Sequence, residues 1–472
     1  MLWFPVDRHI STSLVQQVYT QIRTMILSEQ LKEHEKLPST RELADSIGVS
    51  RNTVTDAYDQ LILEGYLIVK PRSGTYVAEG VVLKAAEIER KEDDLTNWLQ
   101  TEQGDEQFID FRASHPAMDH FPRKVWGRLA KEVCYDSSDE LFGYRTPLGD
   151  ETLRSVLTTY LARTRGVSCH PEQIVITAGA TQALALITQL LMNEGEYVAV
   201  EDPVTDEMRQ IFTNAGAIVK PIKADDHGIM PEKLSRDGKP SFVFVIPSHQ
   251  FPLGAVLPIQ RRIQLVEYVR SMNSYIVEDD YDSEFTYEGT AVFSMQGLDA
   301  KRVIYVGTFS KILSPALRIG YVILPYHLVE RFKELKWFSD RHTATLEQQI
   351  MARFIEEGHL DQHVRRMKRI YEKRRKTLVA ALRESFPALT IVGHAAGMHV
   401  VVEWKDLVVD DTFVKHCKQH QVIIYPVEYY ALQKGYHTHQ MVLGYGSLTE
   451  SDIQLGVRRL REAVGSYTED LI

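Results

Sequence analysis

The sequence predicts a multidomain chain: a small helical head closed by a β-hairpin, a charged connector, and a larger, mainly parallel α/β domain with a smaller α+β subdomain at its C-terminal end. Three observations predict it. The 472 residues exceed what one core usually holds. Apolar residues recur every three to four positions in residues 1–78, then give way after residue 107 to β-branched runs separated by helix-length segments. Between the two, residues 79–107 are rich in Glu, Asp, Lys and Gln, with Leu95, Trp98 and Leu99 as large apolar exceptions, which is the composition of a charged linker.

Composition sets outer limits. Hydrophobic residues at 44% and charged residues at 25% are ordinary globular values and exclude global disorder or a collagen-like repeat. No apolar run approaches the roughly 18 residues of a membrane span. The opening residues lack the basic-then-apolar order of a secretory signal, so a cytoplasmic protein with no membrane partner is expected. Cys134, Cys169 and Cys417 are far apart and odd in number, which fits neither a disulfide framework nor a zinc site, and no metal is expected. A net charge of −10 argues against a globally basic nucleic-acid binder, though not against a small local reading head.

In the head, Leu14, Val18, Ile22 and Ile26 form the stripe of an amphipathic helix. Ser39-Thr40-Arg41-Glu42 has the form of a capping box that opens a second helix, and Gly48 stops it. Ser50 caps a third helix with Val54, Tyr58 and Leu61 inward, ended by Gly65. Tyr66–Val69 and Thr75–Val77, joined through Pro71 and Gly74, have hairpin chemistry.

Two helices joined at Ile47-Gly48-Val49 have helix-turn-helix spacing. Ser50, Arg51, Asn52 and Thr53 then open a recognition helix with the short donors and acceptors that base edges and phosphates require. Ser39, Thr40 and Arg41 are placed to hold the DNA backbone, and Lys70 and Arg72 to touch a flanking groove from the hairpin tip. Charge alone favours a protein-interaction module, because residues 1–80 hold eight Lys/Arg against ten Asp/Glu. The run LPSTRELADSIGVSRNTVTDAYDQLILEGYLIVKPRSGTYV, however, closely resembles the GntR-type winged helix-turn-helix over its whole length. That resemblance implies operator DNA as a partner, with the cations gathered on one face.

In the larger domain, strands are predicted at Ile174–Thr177, Tyr197–Val200, Phe242–Ile246, Tyr275–Asp279, Val303–Val306 and Ile319–Leu324. Helical patterns fill residues 345–385, and short strands lie near 399–403 and 421–425. Three pieces carry chemistry. In the first, a strand ends at Gly307-Thr308-Phe309-Ser310-Lys311, with Arg318 seven residues on. A lysine amine in a pocket forms a Schiff base with an aldehyde, and hydroxyls with an arginine hold a phosphate, although a single lysine after a strand is usually a surface residue. In the second, Glu278-Asp279-Asp280-Tyr281 places carboxylates at the carboxyl edge of a sheet, where α/β ligands bind, unless it is a solvated acidic loop. In the third, Thr177-Ala178-Gly179-Ala180-Thr181 turns a strand into a helix start whose N–H groups suit a phosphate, in a turn that is also commonplace.

In this order the pieces resemble the fold-type I pyridoxal 5'-phosphate (PLP) enzymes, the α/β PLP-dependent transferase fold, over most of residues 108–472. The resemblance implies Lys311 as the internal-aldimine lysine, Asp279 opposite the pyridine nitrogen and Tyr281 at the 3-oxygen. It also implies Ala180, Thr181, Thr308, Ser310 and Arg318 around the phosphate. Tyr144, in Phe142-Gly143-Tyr144-Arg145, matches the tyrosine that reaches the phosphate of a neighbouring subunit, which implies a homodimer. A GntR head joined to such a domain is similar to the MocR/GabR family of bacterial transcriptional regulators.

Three departures stand out. The Asn-Pro-Thr-Gly element of aminotransferases is replaced by Pro247-Ser248-His249-Gln250-Phe251-Pro252-Leu253-Gly254, so His249 or Gln250 is left to replace the asparagine. No arginine occurs between Arg383 and Arg458, where aminotransferases of this superfamily hold the substrate carboxylate, and Thr205 stands where many members carry an aromatic residue that stacks on the cofactor. Without that arginine clamp, α-amino acids are poorly oriented for full transamination. The expectation is therefore a PLP-dependent regulator that senses an amino compound, or PLP itself, through aldimine chemistry at Lys311, and is nucleoid-associated when bound to DNA. An active aminotransferase with an appended DNA-binding domain is the alternative.

Overall fold

The computed structural model describes residues 3–8, 12–81, 108–113, 115–193, 195–287, 292–393 and 395–469. The chain divides into two compact units, Met1–Gln103 and Gly104–Ile472. Residues 82–107 of the expected linker lie outside the described residues.

In the first unit, α1 (Leu14–Leu27) buries Val18, Tyr19, Ile22 and Ile26. Helix α2 (Thr40–Ile47) opens on the expected reciprocal cap: the Ser39 hydroxyl accepts from the Glu42 N–H at 3.3 Å, and the Glu42 carboxylate accepts from the Ser39 N–H at 2.8 Å. Gly48, at φ +70°, ends α2 in the left-handed conformation. Helix α3 (Arg51–Leu63) is capped by Ser50, which accepts from the Thr53 N–H at 3.1 Å, and buries Val54, Ala57, Tyr58 and Leu61. The hairpin pairs β1 (Leu67–Lys70) with β2 (Gly74–Val77), Lys70 facing Gly74. Its first strand starts one residue later than the sequence suggests, because Tyr66 belongs to the turn that follows α3 and its hydroxyl accepts from Arg23 at 3.0 Å.

The second unit begins at β3 (Ile109–Asp110) and is built on one eight-stranded sheet. Its strands are β4 (Ile174–Thr177), β5 (Tyr197–Asp202), β6 (Val219–Asp225), β7 (Gly228–Ile229), β8 (Pro240–Val245), β9 (Tyr275–Asp280), β10 (Val303–Thr308) and β11 (Gly320–Ile323). Their order across the sheet is β4-β11-β10-β9-β8-β5-β6-β7. Strands β10, β9, β8, β5 and β6 run parallel, while β11 is antiparallel to both β10 and β4. Every residue of β4, β5, β8, β10 and β11 is buried, which is why these strands appear in the sequence as continuous apolar runs. Alternate residues feed two cores. Val175, Ile304, Val306 and Val322 face one side; Ile174, Ile176, Tyr305 and Tyr321 face the other.

The smaller α+β part carries β12 (Thr390–Val392), β13 (His399–Glu403), β14 (Val422–Ile423), β15 (Tyr425–Pro426) and β16 (Gln440–Gly444). Its antiparallel sheet has the order β12-β13-β16-β15, and the helices His359–Ser385 and Glu450–Glu469 pack against each other beside it. The strand expected near 421–425 is split in two. Strand β14 pairs in parallel with β3, Ile109 opposite Val422, and β15 joins β16. No helix among the described residues is long and apolar enough to cross a membrane.

Strand β11 meets the turn after β4 with no side chain between them: a Cβ on Gly320 would lie 2.8 Å from the Gly179 Cα. Gly320→Ala is therefore expected to force the two backbones apart and destabilise this unit by about 1–3 kcal/mol. Denaturant unfolding of the full chain checks this, and the transition of the head should keep its midpoint.

Candidate functional site

The carboxyl ends of β4, β9 and β10 open on a cavity of about 640 Å³. Lys311, in the turn after β10, lines it together with Thr308 and Ser310. The Thr308 hydroxyl donates to the Ser310 hydroxyl at 3.1 Å and accepts the Ser310 N–H at 3.2 Å, so a single turn presents both hydroxyls and the amine. Burial lowers the Lys311 pKa, partly opposed by the carboxylates of Glu207, Asp282 and Asp279. Lowering the pKa raises the fraction of neutral, nucleophilic amine.

The turn after β4 forms the second wall. Gly179 sits at φ +99°, and a Cβ there would lie 2.7 Å from the Arg318 guanidinium. Arg318, itself in the left-handed region at φ +50°, donates to the Ala178 carbonyl at 2.5 Å. The helix Ala180–Leu191 starts at this turn with no side chain capping it, and Ala180 and Thr181 line the cavity. An uncapped helix start, two hydroxyls and a guanidinium thus converge on one volume, as an anion site requires.

Asp279 forms the third wall. It is 2% exposed, and its Oδ1 has no hydrogen-bond partner. Burial, with Asp280 and Asp282 nearby, pushes its pKa up to about 7. Tyr281 is also buried and lines the cavity; its hydroxyl donates to the His249 carbonyl at 3.1 Å and lies 3.3 Å from His249 Nδ1. Neither residue expected to replace the missing asparagine reaches the cavity wall. His249 lies beneath Tyr281 and pairs with Asp282 at 3.0 Å. The Gln250 side chain is held by backbone, donating to the Pro203 and Phe251 carbonyls and accepting from the Leu253 N–H.

Thr205 lines the cavity, and its hydroxyl caps the helix Asp206–Asn214 by accepting from the Met208 N–H at 3.2 Å. Tyr144 does not line the cavity of its own chain. It is 78% exposed, with the Arg341 guanidinium 4.2 Å from its ring centroid. Sequence reasoning missed Arg112, His115, Glu207 and Tyr425, all of which line the cavity. Arg112 and Tyr425 are 313 positions apart and meet only because β3 pairs with β14, so no local pattern announces them.

In the head, Ser39, Arg41, Ser50, Arg51, Asn52, Lys70 and Arg72 are exposed, and Thr40 and Thr53 are half-buried. Arg51 Nε lies 3.4 Å from the Thr40 hydroxyl, tying the starts of α2 and α3 together. The Lys70 ammonium sits 4.6 Å from the Tyr76 ring centroid, and Arg72 occupies the hairpin tip at φ +61°.

Known proteins share both halves of the chain. Residues 106–447 match the family model described as aminotransferase class I and II, and residues 14–77 match that of the bacterial regulatory proteins of the gntR family. The HTH-type transcriptional regulator YdeL of Bacillus subtilis is 34% identical over 97% of this chain and 98% of its own length. The probable rhizopine catabolism regulatory protein MocR of Rhizobium meliloti is 33% identical over 97% of this chain and 95% of its own. Among solved structures, the kynurenine aminotransferase of Pyrococcus horikoshii, in complex with PMP, superposes with a TM-score of 0.72 at 27% identity, covering 82% of this chain and 95% of that one. The residues present fit the cofactor that such a fold implies. A partnerless oxygen of Asp279 suits a protonated pyridine, the Lys311 amine suits an aldehyde, and the turn at Gly179 with Arg318 suits a phosphate. With a gntR-family head and an aminotransferase class I and II body joined as in its full-length relatives, the chain belongs to the MocR/GabR family of PLP-binding transcriptional regulators.

Proposed function

We propose that this protein acts in the cytoplasm as a homodimeric regulator that binds operator DNA through its head and senses an amino compound, or PLP itself, at Lys311. The observation that carries this reading is the pairing of Lys311 with the partnerless carboxyl of Asp279 in one cavity, on a chain that also exposes Ser50, Arg51 and Asn52 at a helix start.

When bound, PLP supplies an aldehyde that condenses reversibly with amines. Lys311 holds it through the ε-amine, and an incoming amine competes with Lys311 for it. Asp279 would keep a proton on the ring nitrogen, and Tyr281 would bond the ring oxygen by turning its hydroxyl proton from the His249 carbonyl to that oxygen. Ala180, Thr181, Thr308, Ser310 and Arg318 hold the phosphate, and Tyr144 reaches the phosphate of the partner subunit. In the head, Ser50, Arg51, Asn52 and Thr53 contact base edges. Ser39, Thr40 and Arg41 contact phosphates, and Lys70 and Arg72 reach a flanking groove. DNA binding then places the protein on the nucleoid. Steady production of a keto acid with a co-substrate would instead favour the aminotransferase reading.

Lys311→Ala is expected to abolish the visible cofactor band and borohydride fixation of the cofactor, while circular dichroism and the unfolding midpoint, compared between the cofactor-free proteins, stay near wild type. Arg51→Ala and Arg72→Ala should weaken binding to a DNA fragment selected by the wild-type protein, and leave the cofactor spectrum unchanged. Each substitution that removes a cation from a DNA phosphate should make the salt dependence of binding shallower by about one unit of slope, as read in a filter or fluorescence assay. In the cofactor-free protein Asp279 titrates at about 7 against an ordinary 3.8, so the native state binds more protons than the unfolded state between these values. The contribution of Asp279 to stability therefore falls as pH rises from about 4 to about 7. Glu201, raised to about 8, and Glu284, raised to about 7, act in the same direction, whereas His363, lowered to about 4, and His399, lowered to about 3, act in the opposite one. Asp279→Asn should lose less stability, or gain more, than wild type as pH rises across that range, as measured by denaturant midpoints. An unchanged slope would count against a buried, partnerless Asp279.

A further inference from the structure

We propose that Arg112 is the carboxylate-binding group of this cavity, so that the effector is an amine that also carries a carboxylate. This deepens the reading that amines are sensed at Lys311, and rests on it.

Among the described residues, two guanidinium groups line the cavity. Arg318 is tied to the Ala178 carbonyl within the phosphate cup. Arg112 stands just after β3, and the stretch between Arg383 and Arg458 contains no arginine to take its place. Its side chain is oriented by two sheets. Arg112 Nε donates to the Tyr425 hydroxyl at 2.8 Å, and that hydroxyl donates to Asp110 Oδ1 at 2.9 Å. The same Oδ1 accepts the Arg112 backbone N–H at 2.9 Å, closing the ring of contacts. Strand β14 fixes Asp110 and β16 fixes Tyr425, so the orientation of the guanidinium follows from the topology.

Asp110 Oδ2 lies 3.4 Å from Arg112 Nε, a counter-charge that an entering carboxylate must outcompete through better geometry. Val204, Phe251 and Tyr430 line the same cavity and suit a short aliphatic body between the two polar ends. Lys311 and Arg112 thus give the cavity one group for an amine and one for an acid. Arg112 is 50% exposed, so solvent moderates the contact, and a selectivity of about fivefold is expected.

The test uses the PLP-loaded full chain and titrates its absorption band with matched amines. L-Alanine and β-alanine are compared with ethylamine, and 5-aminopentanoate with butylamine, in wild type and in Arg112→Gln. The expected result is that at least one carboxylated amine binds wild type about fivefold more tightly than its plain counterpart. Arg112→Gln should erase that preference and leave the plain amines within about twofold. A preference that survives in Arg112→Gln, or no preference in wild type, overturns the proposal. A protein with no cofactor band would instead fail the underlying reading. In that case NMR titration with ¹³C-propionate decides: binding that disappears in Arg112→Gln supports the assignment, and binding that is absent from wild type or equal in both overturns it.

Discussion

The ion pair between Arg165 and Asp280, with each side chain 3% exposed, fixes the end of β9 and with it the chemistry of the cavity. Asp280 Oδ2 accepts from Arg165 at 2.6 Å and from the Tyr305 hydroxyl at 2.5 Å. Two residues earlier, Glu278 accepts from the Ser294 hydroxyl and from the Met295 and Gln296 N–H groups. Successive strand residues face opposite sides, so anchoring 278 and 280 on one face turns Asp279 to the other, into the cavity. Burial works against the charge on Arg165, but Asp280 outweighs it and keeps the guanidinium protonated. Removing one partner from such a pair typically costs about 3–5 kcal/mol, so the position of Asp279 depends on charges that never touch a ligand.

The cavity carries an electrostatic cost that points to its ligand. Burial disfavours both the ammonium of Lys311 and the carboxylate of Asp279. A ring that places positive charge beside Asp279 and an electrophile beside Lys311 relieves both penalties. The phosphate cup follows the same logic, because there Arg318 and an uncapped helix start present positive charge side by side. A ligand that binds the native state and not the unfolded chain stabilises it in proportion to its affinity, so cofactor and fold are linked.

The parts of this arrangement that were legible in the sequence are those that local chemistry fixes. The Ser39–Glu42 box, the Gly48 stop and the Ser50 cap each span a few residues, and each formed where the side chains predicted. Lys311 and Asp279 were legible at the carboxyl ends of β10 and β9, and Arg318 just before the antiparallel β11, where topology puts all three at the cavity, while their roles came from the resemblance. Arg112 was not legible, because its environment is assembled from β3, β14 and β15, which are distant in sequence. The roles of His249 and Gln250 were not legible either. Both are polar residues in a loop beside the site, and only packing determined that one supports Tyr281 while the other braces backbone.

Each unit has its own apolar core, so recognition in one does not by itself move the other. An effector with equal affinity for the DNA-competent and incompetent states shifts nothing, however tightly it binds. Full switching from about 1:99 to 99:1 needs about 5.5 kcal/mol of differential affinity, which is more than one half-exposed ion pair supplies. Displacing Lys311 acts in the middle of the second unit, behind β10. A ligand held at Arg112 acts at the start of that unit, on the segment nearest in sequence to the head, where two short strands, β3 and β14, make the pairing. Ile109 and Val422 are buried in the core of the unit, so this pairing is held by packing, and a two-ended effector bears on a packed segment as well as on the chemical centre. An amine without the second group engages the first point alone.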